Sequence, residues 1–138
     1  MKYIALFGPP ACGKSTLIKE FKKIGVRAYD LEKYGHTYQE RKNALQKILK
    51  KEKSDHIIFG AADMRINDFP KDTTKILLLP PLEIYQKRLK ERNKKYPHKE
   101  GQDAINKYFS IDKSKYDIIY SKDIPKKVLL KEILTKTR

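Results

Sequence analysis

Apolar residues fall along this chain in two rhythms. Short unbroken runs, Lys2 to Phe7, Val26 to Tyr29, His56 to Phe59, Lys75 to Leu79 and Tyr116 to Tyr120, read as five strands buried on both faces. Between them the apolar positions recur at helical spacing. Leu17, Ile18, Phe21 and Ile24 share one face of a helix that starts at Lys14 and stops at Gly25. Leu45, Ile48 and Leu49 face inward from a helix over about 37–52, and Tyr85 and Leu89 from a helix over 82–95. A short helix over 102–109 packs Ile105, Tyr108 and Phe109, and a last helix opening at Pro125 buries Leu130, Ile133 and Leu134. Residues 61–70 form an irregular crossover with room for one helical turn. Strands alternating with helices predict a three-layer α/β sandwich around a five-stranded parallel sheet. At 138 residues the chain is expected to form a single domain, 1–138.

The first strand runs straight into Gly8-Pro9-Pro10-Ala11-Cys12-Gly13-Lys14-Ser15, which fits G-x-x-x-x-G-K-[ST] with a strand before it and a helix after it. Glycines let the backbone curl so that several N–H groups face one phosphate. The helix starting near Gly13 adds its positive end. Lys14 is expected to reach the outer phosphates of a nucleotide, the Ser15 hydroxyl to help hold Mg²⁺, and Thr16 to bond the inner phosphate or cap the turn. Residues 8–16 are thus the expected cofactor loop, with ATP and Mg²⁺ as cofactors. No guanine-reading N-K-x-D pattern is present, so ATP is preferred to GTP. Cys12 is read as a small loop filler.

Charge adds less than its size implies. The formal net charge is +15, carried by 26 lysines and 6 arginines, with the lysines spread along the chain. Evenly spread lysine is first a solvated surface and second a basis for a polyanionic partner. The arginines, Arg27, Arg41, Arg65, Arg88, Arg92 and Arg138, are the more informative group. No run of 18 apolar residues predicts a membrane span, and the basic, apolar start meets Gly8-Pro9 with no cleavage site for a secretion signal. The single cysteine permits no internal disulfide and fits a reducing, cytoplasmic setting. Three scattered histidines make no zinc pattern.

The order of elements, the phosphate loop and the stretch EIYQKRLKER resemble the small P-loop kinases, a group holding adenylate, shikimate and gluconate kinases and polynucleotide kinase domains. That resemblance implies a P-loop NTPase fold of the nucleotide-kinase type, strand order 2-3-1-4-5. It also implies roles by position. The third strand ends in Phe59-Gly60 instead of an aspartate pair, so Asp30, just after the second strand, takes the place near metal and acceptor, as base or metal-side carboxylate, with Glu32 beside it. Gly60-Ala61-Ala62-Asp63 stands where shikimate-type kinases turn around their substrate, which makes Asp63 and Arg65 acceptor-binding candidates, together with Arg41. Arg88 and Arg92, four apart on one helix face, lead into a lid over about 88–101 and would close on the transferring phosphate, with Lys95 and Lys99 as further candidates. Residues 121–125 would lie against adenine. The acceptor-binding region, about 31–55, is smaller than in nucleoside monophosphate kinases.

Three functions follow. The first is an ATP-dependent kinase acting on a nucleoside or nucleotide-like small molecule. The second is a kinase acting on a nucleic acid, motivated by the charge. The third is an ATP-binding regulator that transfers nothing. Oligomeric state is left open.

Overall fold

A computed structural model describes residues 2–9, 12–95 and 102–137. Its elements are β1 (Lys2–Phe7), α1 (Lys14–Lys23), β2 (Arg27–Asp30), α2 (Tyr38–Lys51), β3 (His56–Gly60), β4 (Thr74–Leu78), α3 (Leu82–Lys95), α4 (Gln102–Ser110), β5 (Ile118–Tyr120) and α5 (Lys126–Lys136). Short 3₁₀ turns occupy Leu31–Tyr34, Ile66–Asp68 and Lys113–Lys115. The five strands are all parallel, in the order β2-β3-β1-β4-β5. This is the predicted order. Successive residues of β1 serve opposite faces. Ile4 and Leu6 meet Leu17, Ile18 and Phe21 of α1 and Leu130 and Ile133 of α5, whereas Ala5 and Phe7 meet Leu45 of α2 and Met64 and Phe69 of the crossover. Both faces are covered, which is why the strands read as unbroken apolar runs.

Register brings the functional ends together. Asp30 and Leu6 both pair with Gly60, so the carboxyl ends of β2, β3 and β1 lie level. In parallel sheets that edge is where ligands bind.

Three expectations need correction. Ile24 does not face the core: α1 ends at Lys23, and Ile24 caps it on the outside, 53% exposed. Phe109 is likewise exposed, because its neighbour Tyr108 takes the inward position, stacking on Tyr85 and donating its hydroxyl to the Pro80 carbonyl. The fifth strand begins at Ile118, not Tyr116. Asp112 caps the preceding turn through the Ser114 N–H, and the Asp117 carboxylate accepts the Lys75 N–H. No helix among the described residues is long and apolar enough to cross a membrane.

Candidate active site

The phosphate loop is shaped by its neighbours. A Cβ on Gly8 would stand 2.5 Å from Cys12 Sγ and 2.6 Å from the Leu78 carbonyl oxygen, so only glycine lets the loop lie this close to β4. Gly13 caps α1 with φ +101°, a backbone conformation glycine adopts without strain. Cys12 is buried in the core against the loop, consistent with its reading as filler. Lys14 donates from Nζ to the Gly8 carbonyl at 2.5 Å, and Thr16 is exposed. Pro10 and Ala11 lie outside the described residues, as does the lid stretch 96–101 with Lys99.

Beside the loop, Ser15 Oγ donates to Asp30 Oδ2 at 2.7 Å. Asp30 is 4% exposed, at the end of β2. The two residues expected at a metal are thus in direct contact. Among the described residues no group of three or more His, Cys, Asp and Glu could hold a metal by itself. A hydroxyl and a carboxylate still fit Mg²⁺, which takes oxygen ligands and commonly keeps waters and substrate phosphates for the rest of its shell.

Gly8, Pro9 and Lys14 form one wall of a cleft of about 470 Å³. Glu32, Arg41 and Asp63 line it too, so three of the predicted acceptor-side residues share one space with the lysine. Arg41 Nη1 pairs with Asp63 Oδ2 at 3.1 Å, and its Nε donates to the Gly35 carbonyl at 3.2 Å. Thr37 caps α2 by accepting the Glu40 N–H, which fixes where Arg41 emerges. Gly35 is needed there, because a Cβ would come within 2.5 Å of Glu40 Cβ. Next to Asp63, Ala62 sits at φ +51°, uncommon for a residue with a side chain. Such strain concentrates at ligand sites. Lys107, Ser110 and Tyr116, from α4 and the segment after it, close the cleft.

The remaining residues are placed elsewhere. Arg65 lies outside this cleft, its guanidinium 5.0 Å from the Tyr38 ring centre. It lines an adjoining cavity of about 730 Å³ together with Lys75 and Lys115. Arg88 contacts the loop itself: Nη1 donates to the Cys12 carbonyl at 3.3 Å and Nη2 pairs with Asp123 at 3.1 Å. It does not line the cleft that holds Lys14, and neither does Arg92, half-buried one turn further along α3. Residues 122–124 border the small cavity beside Arg88.

Lys107, Tyr116, Gly35 and Lys126 were not singled out by sequence. Lys107 and Lys126 are two lysines among many, and nothing local marks them. Tyr116 reads from the sequence as a strand residue, but it lies before β5.

No protein-family model matches this sequence, and no curated protein does. Solved structures do match the fold. Shikimate kinase from Acinetobacter baumannii in complex with shikimate is 17% identical with a TM-score of 0.68, covering 99% of this chain and 92% of that one. Shikimate kinase from Aquifex aeolicus vf5 is 21% identical with a TM-score of 0.60, covering 97% and 94%. A gluconokinase from Sinorhizobium meliloti 1021 is 11% identical with a TM-score of 0.63, covering 97% and 90%. The parallel sheet in the order 2-3-1-4-5, the glycine-built loop between β1 and α1, and these near full-length matches agree: the chain has the fold of the small P-loop kinases.

Proposed function

We propose that the protein is an ATP-dependent kinase that moves the γ-phosphate to a small acceptor, most simply a nucleoside or nucleotide-like molecule. The observation that carries this is the 2.7 Å contact between Ser15 and the buried Asp30, whose chain neighbours Lys14 and Glu32 line a cleft of acceptor size. In this reading the loop amides and Lys14 hold the phosphate chain in line with the acceptor. Bound Mg²⁺ would supply positive charge to the phosphate oxygens. For a hydroxyl acceptor, Asp30 takes the proton as the acceptor oxygen bonds to phosphorus and the bridging oxygen leaves on ADP. For a phosphate acceptor no base is needed, and Asp30 serves the metal side.

The cleft supports an acceptor with mixed polarity. Arg41 and Lys107 suit an anionic group, Glu32 and Asp63 suit hydroxyls, and Phe7 and Tyr116 offer aromatic surface to a planar ring. Arg88 and Arg92 remain proposed as charge-stabilising groups on closure. Arg88, which donates to the loop at the Cys12 carbonyl and does not line the cleft, stands nearer the donor side than the acceptor side.

One observation favours the second reading, a nucleic-acid acceptor. The cleft and the 730 Å³ cavity share Phe7, Met64, Ser110 and Tyr116 as walls, and the further cavity adds Arg65, Lys75 and Lys115. A chain of phosphates could continue from one into the other. The experiment is label transfer from γ-labelled ATP with Mg²⁺ to separate pools of nucleosides, nucleotides, small metabolites and 5′-hydroxyl oligonucleotides. Transfer to a small-molecule pool, abolished in Lys14→Ala, supports the first reading. Transfer to oligonucleotides alone replaces it with the second. Bound ATP with no transfer to any pool favours a regulator.

A further inference from the structure

Lys126 is the first residue of α5, far in sequence from the phosphate loop, yet its ammonium stands over it. Nζ lies 2.6 Å, and Arg88 Nη1 3.7 Å, from the point where a Cβ of Gly13 would be. Two cations therefore converge on the turn that opens α1. Their surroundings do not balance them. Asp123 pairs with Arg88, while Lys126 makes no hydrogen bond or ion pair among the described residues. Burial lowers the pKa of the Lys126 ammonium, and the Arg88 charge lowers it further, against weaker opposing pulls from Cys12 and Asp123. Helix ends add to the imbalance. Lys126 begins one helix with no acidic residue in its first turn and abuts the start of another, and both starts carry positive dipole ends. The cavity among Cys12, Arg88, Asp123 and Lys126 has only about 20 Å³, room for about one water.

A half-buried cation with no ion pair among the described residues, beside a second cation, is costly unless an anion joins it. The nearest anion-receiving group is the phosphate loop itself. We infer that Lys126 is an additional phosphate-binding residue on the donor side of the site, contributing with Arg88 a two-cation cap whose anion is the phosphate chain of the bound nucleotide. This rests on the proposed ATP-binding role of the loop. It also gives Gly13 a second role: the absent side chain leaves the lysine its place, and a Cβ there would push the ammonium aside.

The test is nucleotide affinity by titration calorimetry with MgADP and, separately, adenosine, for wild type, Lys126→Gln and Lys126→Arg, with melting temperatures taken on each. Losing one charge-assisted contact should weaken MgADP binding about tenfold in Lys126→Gln. Lys126→Arg should recover most of that, and adenosine binding should not change. The loss should shrink at high salt, because its source is charge. MgADP affinity unchanged or tighter in Lys126→Gln overturns the inference while leaving the loop's role intact. An equal loss for adenosine also overturns it, since the contact would then be to the nucleoside. Failure of wild type to bind MgADP, with Lys14→Ala no different, overturns both the inference and the reading it rests on.

Discussion

Replacing Gly8 with alanine should unseat the phosphate loop without altering any charge. The new Cβ would stand 2.6 Å from the Leu78 carbonyl oxygen and 2.5 Å from Cys12 Sγ. Carbon and oxygen in ordinary contact stand about 3.3 Å or more apart, so the loop must retreat by roughly 0.7 Å. Leu78 is β4 backbone and Cys12 is buried, so neither neighbour yields easily. Overpacking of this kind costs about 1–3 kcal/mol. The Gly8 carbonyl also receives the Lys14 ammonium, so its shift displaces the lysine. If that strain is borne by the loop in its binding shape, nucleotide affinity falls roughly 5- to 150-fold. Gly25→Ala is the control. Gly25 has a positive φ, +84°, but nothing lies within 4 Å of its added Cβ, so Gly25→Ala should lose about 1–2 kcal/mol of stability and no affinity. Calorimetric titration with MgADP and thermal melts on both variants distinguish the two effects. Wild-type affinity in Gly8→Ala, or an equal loss in Gly25→Ala, would refute the reasoning.

Three further outcomes are expected. Asp30→Ala orphans the Ser15 hydroxyl, which should cost about 1–3 kcal/mol and lower the melting temperature by roughly 3–10 °C, while Asp30→Asn keeps an acceptor for it and should lose less. Arg41→Ala should raise the acceptor KM about tenfold with a smaller change in kcat. It should leave the melting temperature within about 2 °C, because Asp63 is half exposed and such pairs contribute little to stability. The third concerns pH. The Tyr29 hydroxyl, and after it Ser54, holds the Glu52 carboxyl below its ordinary 4.5, so the stability this contributes is full above that value and is lost as pH falls through the lowered one. Tyr29 itself is raised from 10.0 to about 12, by burial first and by Glu52 second, so its share is present below 10 and lost as pH rises toward 12. Melting curves of wild type and Tyr29→Phe should therefore differ by a constant amount between about pH 6 and 9 and converge at both extremes.

The sheet was legible because a doubly covered sheet demands unbroken apolar strands, with glycines marking the ends of the first and third; its strand order came from the resemblance to small P-loop kinases. The loop was legible for a different reason, since binding a phosphate through backbone amides needs small residues at fixed spacing. Ser15, from the loop motif, and Asp30, from the resemblance to small P-loop kinases, were each expected near a metal, and the register of β2 against β3 accounts for their closeness. What escaped notice depends on rotation and distant packing. Tyr108 and Phe109 are adjacent and both aromatic, and only the stack on Tyr85 selects which one turns inward. Lys126 and Gly13 lie more than a hundred residues apart, and no pattern along the chain joins them. Arg88 was expected to close on the transferring phosphate; its contacts with the Asp123 carboxylate and the Cys12 carbonyl likewise join residues far apart in sequence.

The central claim is that the carboxylate beside Ser15 makes this a phosphotransfer centre and not merely a nucleotide holder. The most direct measurement is the initial rate of label transfer from γ-labelled ATP to its acceptor by wild type and Asp30→Asn, with ATP affinity determined on the same samples. For a hydroxyl acceptor the account predicts a fall in transfer of about 10²- to 10⁴-fold with ATP affinity within about threefold of wild type. Transfer by Asp30→Asn at the wild-type rate, or wild type that only hydrolyses ATP slowly whatever acceptor is supplied, would contradict it.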